Sequence, residues 1–182
     1  MLQLKVQLTY EGWDESRQEF IEPEVFTLKL EHSLVSLSKW ESRWHKAFLT
    51  KTEKSSEEIL DYIKCMTLTE DVDPTVYQCL SNSDFRQINA YIEDPMTATV
   101  INDEKGSKNN REVVTSELIY YWMIALNIPF EQCEKWHLNR LLTLIRVCNI
   151  KNTPPKKMSK GDIMRRNAAL NEARRKQLNT RG

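Results

Sequence analysis

Cys133 and His137 stand four residues apart in a stretch with helical spacing, where both fall on one face and could supply half of a zinc site. The other half would have to come from His32, His45, Cys65, Cys79 or Cys148, and none of these shows ligand spacing. The expectation is therefore no metal centre. None of the four cysteines forms a CxxC pair, so they read as reduced, mostly buried thiols. Nucleophilic catalysis needs a base held in place by a third group. With four Cys and three His, any pairing can be drawn on paper, so their presence selects nothing. The carboxylate pairs Glu57/Glu58 and Asp71/Asp73 fall at expected helix starts, where the helix dipole favours negative charge without any catalytic role. Neither GxGxxG nor GxxxxGK followed by Ser or Thr occurs, which removes the known phosphate cradles. No catalytic residue and no cofactor are expected.

Charge makes a stronger statement than any motif. The chain is neutral overall, with 26 Lys/Arg and 26 Asp/Glu. Residues 151–182 hold ten Lys/Arg against two Asp/Glu, a net of +8, and residues 1–150 hold the remaining 16 against 24, a net of −8. An acidic body of residues 1–150 thus carries a basic arm of residues 151–182. The candidate binding residues lie in the arm: Ile163, Leu170 and Leu178 for apolar contact, and Arg165, Arg166, Arg174, Arg175 and Lys176 for attraction to acidic partners. The arm holds no aromatic residue on which a base could stack and no readout motif, so nucleic acid is a weaker expectation than a protein client or another copy of the chain.

These residues need elements to position them. Leu2, Leu4, Val6, Leu8 and Tyr10 alternate with polar residues, the period of a half-buried strand. EGWDESRQEF turns the chain, and Val25, Phe26, Leu28 and Leu30 make a second strand that pairs with the first as an antiparallel ribbon. The period then becomes helical. Leu34, Leu37, Trp40 or Glu41, Trp44 and Phe48 mark one helix, started by either Ser33 or the Ser38/Glu41 box. Ser55 caps a second helix with Glu58 three residues on and a stripe of Ile59, Ile63 and Met66. Asp73-Pro74 starts a third, and residues 84–92 form a fourth. Residues 101–110 lack periodicity and read as an exposed loop.

The apolar run ELIYYWMIALNIPFEQCEKWHLNRLLTLIRVC reads as a central helix hairpin, residues 116–127 and 130–148, joined at Asn127-Ile128-Pro129. Its unbroken apolar block, residues 118–126, is about half of what a membrane span requires, so no membrane is expected. Trp40, Trp44, Trp122 and Trp136 stand beside Leu and Phe at helical spacing and read as core. MLQLKVQLTY alternates where a secretory leader would be charged and then apolar, which argues against secretion. Thr153, Pro154 and Pro155 break the fold, and Ser159 offers a cap for a last helix over residues 162–178. The expected architecture is α+β and mostly α: an N-terminal two-stranded ribbon, a helical body with a central hairpin, and a basic helical arm.

EHSLVSLSKWESRWHKAFL, DPMTATV, WHLNRLLTLIRVCNIKNTPPKKMS and RRNAALNEARRKQLNTRG together span most of the chain. In these phrases it resembles small proteins of the tail-gene region of double-stranded DNA phages and prophages, and among them the tail assembly chaperones of long-tailed phages. The resemblance implies a mostly helical, non-enzymatic protein of the host cytoplasm that binds the tape measure protein and helps the tail tube protein polymerise around it. It carries no residue-level motif for the binding surface. A virion structural protein at the head–tail joint or in the tail is the alternative, with the virion as its place. A nucleic-acid-binding accessory protein is the third reading and rests on the arm alone. Self-association through the arm fits the charge reversal.

Overall fold

The computed structural model describes residues 1–8, 13–14, 19–20, 24–101, 112–153 and 160–179, and every statement of absence below refers to these. Contacts divide the chain into two units, Met1–Asn149 and Ile150–Gly182. The fold is α+β and mostly α.

Strand β1 (Leu2–Leu8) pairs antiparallel with β4 (Glu24–Leu30), with Leu4 opposite Leu28 and Val6 opposite Phe26. The alternation has the consequence a pleat demands: Leu4, Val6, Leu8, Leu28 and Leu30 are buried, while Gln3, Lys5 and Gln7 are exposed. The stretch that the sequence marks as a simple turn contains a second short antiparallel pair, β2 (Trp13–Asp14) with β3 (Glu19–Phe20).

Helix α1 (Leu34–Trp44) starts at Ser33, not at the alternative Ser38 box. Ser33 and Ser36 cap each other's backbone amides, and the helix stops where His45 turns left-handed at φ 51. Helix α2 (Ser56–Met66) has the expected reciprocal cap between Ser55 and Glu58. Its buried face is turned from the expected stripe: Ile63 and Met66 are buried beside Tyr62, but Ile59 is 41% exposed. Helix α3 (Pro74–Gln78) follows the Asp73 cap with Pro74 in its first turn. Helix α4 (Asn82–Glu93) begins ahead of the expected Asp84, because Asp84 is the third residue of a box closed by Ser81.

The hairpin region differs most from its reading. Helix α5 (Ser116–Ala125) ends as expected near Asn127, which takes φ 54. The second limb is interrupted: α6 (Phe130–Cys133) stops, and α7 (Leu138–Asn152) begins afresh. The cause is tertiary. Glu134 O accepts from Val35 N–H at 3.4 Å, Leu138 N–H donates to His32 O at 2.7 Å, and Ser33 forms a bridge with His137. Backbone groups that would continue the helix are committed to the segment ahead of and opening α1.

Two apolar clusters result. The first joins the β1–β4 ribbon to Trp40, Tyr62, Ile63, Met66, Val76, Tyr77, Ile88 and Tyr91. The second joins Leu34 and Leu37 to Ile119, Met123, Ile128, Leu138, Leu141 and Ile145. Helix α1 serves both, so the hairpin is the centre of one cluster and not of the whole body. Of the tryptophans read as core, Trp40 is 1% exposed, and Trp44, Trp122 and Trp136 are half-buried. In the second unit, α8 (Lys160–Leu178) forms but begins ahead of the expected residue 162; its suggested cap Ser159 lies outside the described residues, as does most of the 101–110 loop. No helix among the described residues is long and apolar enough to cross a membrane.

Candidate functional site

The arm residues come first, because the sequence points to them. All eight, Ile163, Arg165, Arg166, Leu170, Arg174, Arg175, Lys176 and Leu178, lie on α8, and no residue of this 19-residue helix is buried. Ile163 is 44% exposed, Leu170 46% and Leu178 70%. At about 100° per residue, Ile163, Leu170, Arg174 and Leu178 share one side of the helix. Arg165 and Lys176 point to the other side, where Lys176 pairs with Glu172 at 2.9 Å. Ile163, Leu170 and Leu178 therefore make one apolar stripe with Arg174 on it, Arg166 and Arg175 flank that stripe, and Arg165 and Lys176 lie opposite.

In the body, Cys133 and His137 do not share a helix face. Cys133 closes α6, while His137 lies between helices, bridged to Ser33. No group of three or more His, Cys, Asp or Glu that could hold a metal ion exists among the described residues. Cys65 and Cys133 are buried and Cys79 and Cys148 half-buried, and burial pushes the Cys65 and Cys133 thiols above their ordinary value. Of the carboxylate pairs, Asp73 caps α3, and Glu58 both caps α2 and pairs with Lys46 at 2.5 Å. The Lys46 ammonium, together with the Ser55 amide, holds Glu58 below the usual carboxylate range.

Sequence spacing gives no sign of the polar cluster that links these elements. His32 Nδ1 and the Tyr62 hydroxyl share a hydrogen bond at 2.5 Å, and the His32 and His137 rings meet edge-on at 5.1 Å. His137 Nδ1 accepts from Asn139 N–H at 3.3 Å, which leaves Nε2–H to donate to Tyr91 O at 2.9 Å. The Tyr91 hydroxyl donates to Glu31 Oε1 at 2.6 Å, and the terminal ammonium of Met1 pairs with Glu31 Oε2 at 2.8 Å. Burial, with His137 beside it, lowers His32 to about 3. Burial also pushes the Tyr62 and Tyr91 phenols up, the latter helped by its bond to Glu31. The pieces of an acid–base site are present, but His32 is 2% and His137 6% exposed. Both rings are thus buried, and the His32–Tyr62, His137–Tyr91 and Tyr91–Glu31 bonds tie separate parts of the body together.

Two surface features remain. A groove of about 430 Å³ runs along α2 and α4, lined by Phe48, Ile59, Ile63, Phe85, Ile88 and Ile92. Lys54 stands at it, its ammonium 4.7 Å from the Phe48 ring centroid. On α5, Tyr121 and Ile124 are each 61% exposed.

Among the described residues the fold is thus an α+β body, with a cationic helix in the second unit. Compared with family models, with curated proteins and with solved structures, the chain matches none.

Proposed function

We propose that this chain is a non-enzymatic tail assembly chaperone of a long-tailed phage, which binds the tape measure protein and assists polymerisation of the tail tube protein. One observation carries the reading beside the sequence resemblance. Helix α8 is 19 residues long, strongly cationic, and has no buried residue. Most helical stability in proteins comes from packing of an apolar face, and α8 buries no residue, so a persistent α8 draws that support from a partner. An apolar stripe with an arginine on it suits a helical segment of an elongated client, and repeated client segments would gain by avidity. The catalytic reading has less to stand on, since the buried His32 and His137 are closed to solvent.

The test is a pull-down of tape measure fragments by the full chain and by the Arg174→Glu/Arg175→Glu variant across a salt series. Binding should fall in the variant, and more at low salt than at high salt. Equal binding by both proteins removes the arm from the mechanism. Mass spectrometry of purified virions separates the nearest rival: a chaperone is absent, and a head–tail or tail structural protein is present in stoichiometric amount. Comparable salt-sensitive binding to arbitrary DNA would favour the nucleic-acid reading.

A further inference from the structure

Helix α5 buries Ile119 and Met123 and leaves its opposite side bare. On that side Glu117, Tyr121 and Ile124 follow one another at helical spacing, and all three are exposed. Beside them, Tyr120 meets Phe130 edge-on at 5.7 Å, and its hydroxyl donates to Glu134 at 3.1 Å. Burial, with the Glu134 carboxylate nearby, pushes that phenol up to about 12. From residue 116 to 136 the chain holds Glu117, Glu131 and Glu134 against the single cation Lys135. This is an apolar patch with an acidic border. Exposed apolar residues gathered on one helix side mark a contact surface more than scattered ones do.

We propose that this face of α5 receives helix α8 of a second copy of the chain. The two match in sign and in spacing. Leu170 and Arg174 are four residues apart on α8, and Tyr121 and Glu117 are four residues apart on α5. Laid antiparallel, Arg174 meets Glu117 and Leu170 covers Tyr121, each pair about 6 Å along its helix. Ile163 then extends past Ile124 toward the end of α5. The α2–α4 groove is a poorer seat, because Lys54 stands at it and would repel a cationic helix. Arm and face are different surfaces, so each copy keeps one of them free when the other is used. The contact is heterologous and runs head to tail. It involves only copies of this chain and does not depend on the tape measure reading.

Sedimentation of the full chain over a concentration series tests it. Association should rise with concentration and weaken with salt. Tyr121→Lys/Ile124→Lys (face variant) and Leu170→Glu/Arg174→Glu (arm variant) should each weaken it by about tenfold or more: the first loses the apolar contact and sets two cations against a cationic helix, and the second loses an apolar contact and the ion pair. All four positions are exposed, and unchanged circular dichroism checks that the body is intact. Mixing the two variants is the decisive arm. The face variant keeps a working α8 and the arm variant keeps a working α5, so a one-to-one dimer should form and nothing larger. A chain that stays monomeric at every concentration overturns the proposal. So does a face variant that associates like the parent. Loss of association in Ile59→Lys with the face variant unaffected would place the seat in the groove, and would overturn it too.

Discussion

Lowering the pH from 7.5 to 5 should cost the body about 2 kcal/mol through His32 alone. His32 is held at about 3 in the folded chain by burial and by His137, against an ordinary value near 6.5. Between those values the unfolded chain binds a proton on this residue and the folded chain does not, so stability falls as pH falls, by about 1.4 kcal/mol per pH unit. From 6.5 down to 5 that amounts to about 2 kcal/mol, a large part of a typical domain stability of about 5–15 kcal/mol. The groups facing the ring come from each element around it: Tyr62 from α2, His137 ahead of α7, and through His137 the backbone of Tyr91 in α4. The depressed carboxylates Glu58, Asp73 and Glu117 act in the same direction but at lower pH, near and below their ordinary values of 4.5, 3.8 and 4.5. The interval from 6.5 to 5 therefore isolates the histidine contribution. Urea denaturation at half-unit pH steps measures it, and the His32→Gln variant should show a flatter profile there. Nitrogen shifts of the His32 ring should stay those of a neutral imidazole down to about pH 4. A stability that does not change between pH 7.5 and 5, or a His32 ring that titrates near 6.5, would refute the reasoning.

Glu41→Ala should destabilise the body by about 1–3 kcal/mol in the same urea assay, because Glu41 accepts from Phe48 N–H at 2.9 Å and from Ser116 N–H at 2.7 Å in a buried setting. Glu41→Gln, which keeps one acceptor oxygen, should lose less. Leu141→Asp should unfold the domain, since Leu141 is 0% exposed and an unpaired carboxylate there costs several kcal/mol; a soluble variant with an unchanged melting temperature would contradict its place in the second cluster.

Local chemistry was legible in the chain, and long-range chemistry was not. The alternation of β1, the Ser55/Glu58 box and Asp73-Pro74 each act within a few residues, and the structure follows them. Ser33 and Ser38 satisfied the same local rule, and only the packing of Leu34 and Leu37 into the second cluster separates them. The break between α6 and α7 is not legible in the sequence, because the groups that cause it belong to residues 32–35, far earlier in the chain though bonded to it in space. The same distance hid the His32, Tyr62, His137 and Tyr91 cluster, whose members show no common spacing. On α8 the placement of each residue around the helix is legible too, since about 100° per residue sets Ile163, Leu170 and Leu178 on one side and Arg165 and Lys176 opposite.

Helix α1 carries Leu34 and Leu37 into one cluster and Trp40 into the other, as a wall shared by two rooms. Cut the backbone anywhere in residues 102–111, and the wall stays with the N-terminal piece. That piece would keep its ribbon and helices but present Leu34 and Leu37 as an uncovered, adhesive strip. The C-terminal piece would hold α5, α6 and α7 with the second cluster lacking Leu34 and Leu37, and should be poorly ordered alone. Mixed together, the second should condense on the first, its order supplied by the template. Halves that fold only together would report on the proximity of whatever they are fused to.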